Sequence, residues 1–183
     1  RGYPPSDVPK SYRKYSQQIA TDDIANVMRH LGLRKAHIIG CSMGGYATVH
    51  FGLVYPQLAL SLTAIAAGYG SDPDKRKQFL GDTEVMARRF EELGTAEAIK
   101  PYQIGPSRVQ FQNKDPVGFR RFCTEFAKHS ALGTANTLRG VQAPRPIIYS
   151  LGKGLPRMKV PTHILSGDED NQCLDPGIFI KRV

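Results

Sequence analysis

Several things are missing from this 183-residue chain, and each absence removes a class of protein. No apolar run approaches the ~20 residues that cross a bilayer, and neither a signal-peptide core nor a stop-transfer pattern stands near the start. A soluble protein without a membrane partner is expected, in a cytoplasmic setting. The three cysteines, Cys41, Cys123 and Cys173, form no Cys-x-x-Cys pair and are odd in number, which argues against a disulfide framework and a zinc site. Nucleic acid is no better supported. The formal charge is +9, but Lys and Arg are scattered, and the clusters at 74–77 ("DKRK") and 119–122 ("FRRF") lack aromatic-basic interleaving. No initiator methionine precedes Arg1, and Val183 follows soon after a helix-like start, so we expect a fragment.

What is present is one domain's worth of globular composition, 40% hydrophobic and 22% charged, enough to build a core. Residues 16–31 place Ile19, Ala20, Ile24, Val27, Met28 and Leu31 near a 3.6-residue period, with Gly32 as a stop, which predicts a helix. Three short β-branched runs predict buried strands at 35–40, 59–68 and 160–167. A second helical segment, 43–55, lies between the first two and is closed by Pro56. Strand and helix alternate, so the expected class is α/β with parallel strands and flanking helices. The stretch 69–159 is too long for a loop and reads as helices with breaks, Asp115 and Pro116 forming an N-cap and N1 pair. We expect three segments: 1–68 as part of the core sheet, 69–159 as a mostly helical cap insert, and 160–183 as a core strand with its loop, continuing beyond the chain end.

Chemistry concentrates in "GCSMGG", residues 40–45, between the first strand and the second helix. Strand, sharp turn, helix is the order a nucleophile elbow needs, with Ser42 as nucleophile and Gly40 and Gly44 leaving room for the bend. Met43 would then offer its backbone N-H at a helix start, where unpaired amides favour a developing oxyanion. Cys41 reads as a small buried residue.

These residues resemble the α/β-hydrolase superfamily, in the manner of a capped serine hydrolase. The opening "RGYPPSDVP" resembles the end of the loop after that family's fourth strand, with Pro4 where a second Gly is usual. The stretch 22–45 is similar to its helix, fifth strand and elbow, and 160–182 to its seventh strand and acid loop. The resemblance implies a partial α/β-hydrolase fold, no metal and no cofactor, and a small-molecule substrate. It also implies a triad acid three residues beyond the strand-end Gly167, at Asp170, with Asp168 as runner-up and Asp72 as the acid of the family's alternative position. By physical need, that carboxylate must accept the imidazole Nδ1-H and stabilise the imidazolium.

A base is harder to find. The family's order is Ser, acid, His, yet no histidine follows His163, which reads as a partly buried strand residue. His30 and His37 suit structural roles, and His50 would lie ~12 Å along its helix from Ser42. His129 remains as a candidate from the insert. The simpler expectation puts both the base and one oxyanion donor outside the chain, with Asp175 and Pro176 opening the helix that leads there. The expected activity of the whole is hydrolysis of an ester, thioester or amide through an acyl-enzyme at Ser42, and this piece alone is expected to be inactive. Carbon-carbon bond hydrolysis with the same triad, or a non-catalytic small-ligand receptor, are the alternatives.

Overall fold

A computed structural model describes residues 1–183, Ser107 by its backbone only. The elements run α1 (Gln17–His30), β1 (Ala36–Cys41), α2 (Met43–Val54), β2 (Ala59–Ile65), α3 (Arg76–Ala98), α4 (Lys100–Gln103), α5 (Pro106–Lys114), α6 (Pro116–Phe126), α7 (Ala131–Thr137), β3 (Thr162–Leu165) and α8 (Asn171–Arg182). Two compact units emerge: Ser16–Phe79 with Pro144–Val183, and Arg1–Tyr15 with Leu80–Ala143. They do not coincide with the segments read from the sequence. Residues 144–159 fall with the sheet because Ile148, Leu151, Leu155 and Met158 join the core around Tyr46 and Val49. Residues 1–15 fall with the helices because Asn136 Nδ2 donates to the Pro9 and Lys10 carbonyls, both at 3.1 Å.

In the sheet unit the three strands are parallel, in the order β1-β2-β3, as strand-helix alternation implies. One sheet face carries Ile38, Leu62 and Ala64, all buried, with Ile164 half-buried, and packs on α1, α2 and α8. The central helix α2 is buried on most sides, which its nearly all-apolar sequence requires. On α1 the buried stripe is Thr21, Ala25 and Met28, while Val27 and Leu31, expected inside, are exposed. Thr21 enters the interior because its hydroxyl is satisfied by the Gln17 carbonyl at 2.8 Å.

The opposite sheet face is bare. It bears His37, Ile39 and Cys41 on β1 and His163 and Leu165 on β3, with Ile39 68% and Leu165 50% exposed. This corrects two expectations: Cys41 and His163 are exposed, because strand alternation puts both on the uncovered side. A third correction concerns α8. It starts at Asn171 with Asp170 as N-cap, so Pro176 lies inside the helix and packs against Gly68 instead of opening it.

In the helical unit, Ala87, Phe90, Ala98, Ile99 and Ala135 form the core, and α3 breaks at Gly94 (φ 73°, ψ 168°). Asp115 caps α6 as expected, accepting from the Gly118 N-H at 2.8 Å. Just before it, 106–114 is helical, and Arg108 stacks 4.5 Å above the Tyr102 ring.

Candidate active site

Ser42 joins β1 directly to α2, with φ 55° and ψ −111°. A non-glycine residue in the left-handed region is uncommon, and such strain persists only where surrounding structure enforces it. Here the enforcement is visible on both sides. The Ser42 N-H donates to the Ile65 carbonyl at 2.8 Å, extending the β1-β2 ladder, while its own carbonyl accepts from Tyr46 N-H at 3.1 Å, starting the helix. Its side chain makes no capping bond and the residue is exposed, so the hydroxyl is presented at the carboxyl edge of the sheet. Met43 is the first helical residue, where the N-H has no intrahelical acceptor.

The neighbouring glycines differ. A Cβ on Gly40 would meet the Gly44 carbonyl oxygen at 2.2 Å, and one on Gly45 would meet the Ile65 carbonyl oxygen at 2.7 Å. Gly44 faces open space, so the close approach of α2 to the sheet depends on Gly40 and Gly45.

Asp170 stands at the same edge of the sheet. Cys41 pairs with Ile65 and Ile65 with Leu165, and the Ala66 N-H donates to the Leu165 carbonyl at 2.7 Å, so the strand ends are level. Two strand spacings, ~10 Å in all, separate β1 from β3. The turn closes with the Asp170 N-H on the Gly167 carbonyl at 3.1 Å. Although Asp170 is the N-cap of α8, its carboxylate makes no capping bond; it faces the Cys173 thiol, which burial and this carboxylate push up to about 12. Asp168 is exposed on the turn. Asp72 is committed elsewhere, accepting from the Asp74 N-H at 2.9 Å and pairing with Lys75.

No histidine of the sheet unit reaches Ser42. His37 lies five residues back along β1, its Nδ1 2.7 Å from Ser61 Oγ. His163 sits opposite Thr63, below the strand ends. His50 is two turns along α2, and burial, aided by the Arg145 charge, lowers it to about 4, so it is neutral near pH 7. In the helical unit the exposed His129 ring contacts Phe126 (4.9 Å) and Tyr3 (5.2 Å). Among the described residues no cluster of three His, Cys, Asp or Glu side chains could hold a metal, and no helix is long and apolar enough to cross a membrane.

Beneath this edge lies a buried polar layer of Tyr46, Ser71 and Arg145. The sequence signals it only faintly, by a tyrosine one turn after Ser42 and an arginine held between Pro144 and Pro146.

The family model described as alpha/beta hydrolase fold matches residues 1–98, more than half of the chain. This chain belongs to that family. Within it, the chain is 25% identical over 175 residues to a putative 2-succinyl-6-hydroxy-2,4-cyclohexadiene-1-carboxylate synthase of Bacillus subtilis, covering 93% of this chain and 62% of that protein. It is 22% identical over 166 residues to a putative carbamate hydrolase of Stutzerimonas stutzeri, covering 91% and 59%. Among solved structures, a thermophilic esterase from Thermogutta terrifontis superposes with a TM-score of 0.78 at 24% identity, covering all of this chain and 64% of that one. The chain thus spans about three fifths of the length of the curated relatives it matches.

Proposed function

We propose that the whole protein is a serine hydrolase of small-molecule ester, thioester or amide bonds, for which residues 1–183 supply the nucleophile Ser42, the acid Asp170 and one oxyanion donor, the Met43 N-H. The observation that carries this reading is the strained backbone of Ser42, φ 55°, at the junction of a strand end and a helix start. Hydrolase names among the relatives support the reaction class.

In this mechanism a histidine from outside the described sheet unit takes the Ser42 hydroxyl proton as Oγ attacks the carbonyl carbon. Asp170 accepts the other imidazole N-H and stabilises the cation. Negative charge gathers on the former carbonyl oxygen, where the Met43 N-H and the α2 dipole oppose it. The histidine then protonates the leaving group, and water, activated by the same base, hydrolyses the acyl-enzyme. The cap role of the helical stretch, which would shape substrate choice, belongs to the same proposal.

Steady-state turnover of a short nitrophenyl ester by the full-length protein tests it, together with labelling by a fluorophosphonate. Ser42→Ala is expected to abolish labelling and lower kcat/KM by about a thousandfold or more. Residues 1–183 alone are expected to show no turnover above background. Turnover by this piece that depends on Ser42 would overturn the external base and promote His129.

A further inference from the structure

Arg145 is 4% exposed, yet no carboxylate among the described residues pairs with it. Its guanidinium lies 3.7 Å above the Tyr46 ring and donates Nη2 to the Tyr69 carbonyl at 2.8 Å, while Nε and Nη1 have no partner. Burial lowers its pKa, so the fold pays for this cation. An apolar side chain of similar volume commonly serves stability as well as a buried charge or better. Packing alone therefore gives no reason for an arginine here.

Its contacts lead to both halves of the hydrolytic pair. On one side is Tyr46, whose N-H donates to the Ser42 carbonyl in the first turn of α2. The Tyr46 hydroxyl bonds with Ser71 Oγ and lies 3.2 Å from the Gly68 carbonyl oxygen, and Ser71 Oγ accepts from the Ile148 N-H at 3.0 Å. On the other side is the Tyr69 peptide. The Tyr69 carbonyl accepts from Arg145, and the Tyr69 backbone and the Asp170 carboxylate both act on the Cys173 thiol, the carboxylate raising its pKa. Gly68 fits against this turn so closely that a Cβ would meet the Cys173 Cα at 2.6 Å. Arg76 braces the same loop, donating to the Gly70 and Arg145 carbonyls at 2.9 and 3.0 Å.

We propose that Arg145 is a positioning residue for this chemistry: by clamping the Tyr46 ring and the Tyr69 carbonyl it holds the first turns of α2 and α8 in register, and with them the Ser42–Asp170 spacing that the base must bridge. The proposal rests on the hydrolase reading above. A change in that spacing misaligns the imidazole in the transition state and leaves substrate binding nearly intact, so it acts on kcat.

The test compares Arg145→Met, Arg145→Lys and Ser42→Ala in the full-length protein by kcat, KM and thermal midpoint. Arg145→Met should keep its midpoint within a few degrees of the parent or above it, while kcat falls by about tenfold or more and KM stays within about twofold. Arg145→Lys, which retains a donor for the Tyr69 carbonyl, should recover part of that loss. An unchanged kcat in Arg145→Met, or losses of kcat that track falling midpoints in both arginine variants, would reduce Arg145 to a structural residue and overturn the proposal. Full turnover by Ser42→Ala would instead remove the hydrolase reading, and the positioning role with it.

Discussion

Gly40, Gly44 and Gly45 all crowd around Ser42 in sequence, but the fold asks different things of them. A methyl group on Gly45 would press the backbone of Ile65 at 2.7 Å, and neither α2 nor β2 can yield without moving the Ser42 turn, which leads into α2 and is hydrogen-bonded to Ile65 of β2. Overpacking of this kind costs about 1–3 kcal/mol. A methyl group on Gly44 would meet nothing within 4 Å, and the residue lies in the first turn of a helix, where alanine reduces unfolded-state entropy by about 0.4–1 kcal/mol relative to glycine. Thermal denaturation should therefore separate them: Gly45→Ala lowers the midpoint by several degrees, and Gly44→Ala leaves it unchanged or raises it. Equal losses at the two positions would contradict the close approach of α2 to β2. Pattern reading picks out Gly40 and Gly44 because they flank the serine, and Gly45 as a position without a side chain where the helix packs close to the sheet; it does not show that Gly44, unlike the other two, faces open space.

Between elements, the firmest polar tie in the helical unit is Arg139, which bonds Glu84 Oε2 and Glu91 Oε2, both at 2.9 Å, on one face of α3. Hydrogen bonds from Arg139 and then Arg88 lower the Glu84 carboxyl to about 2 from an ordinary 4.5. A depressed carboxylate contributes stability that is complete above pH ~4.5 and is lost as pH falls toward ~2. The Glu84 side chain is 41% exposed, so the contribution is modest and weakened by salt. Denaturation followed from pH 5 to pH 2 should show Glu84→Gln with a shallower acid loss than the parent, and parallel curves would deny the ion pair any role. Elements themselves were largely legible: periodicity and β-branched runs find α1, α2 and all three strands to within a few residues. Where α8 starts was not, because Asp175-Pro176 carries the same N-cap and N1 signature that the fold uses at Asp115-Pro116. The buried face of α1 was equally hidden, since Thr21, its hydroxyl satisfied within the helix, lies on the buried stripe while Val27 lies off it.

At the scale of the molecule, strand alternation with helices is enough to specify a parallel sheet, but not how many of its faces are covered. Parallel sheets are ordinarily covered on both sides, and their strands then read as continuous apolar runs. The runs here look fully buried, and for that reason Cys41 reads as a buried residue and His163 as a partly buried one, although the face they share with Ile39 and Leu165 is bare. An exposed face of this kind is a site of association. Residues 1–183 produced alone should therefore bind an environment-sensitive apolar dye and self-associate as concentration rises, in equilibrium sedimentation at micromolar protein. Replacing Ile39 and Leu165 together by threonine should remove most of both effects while leaving the thermal midpoint nearly unchanged, because the two side chains are 68% and 50% exposed and contribute little to the core. Dye binding and association that persist in the double variant would locate the sticky surface elsewhere. A parent chain that stays monomeric and dark would mean that this sheet face is covered in solution.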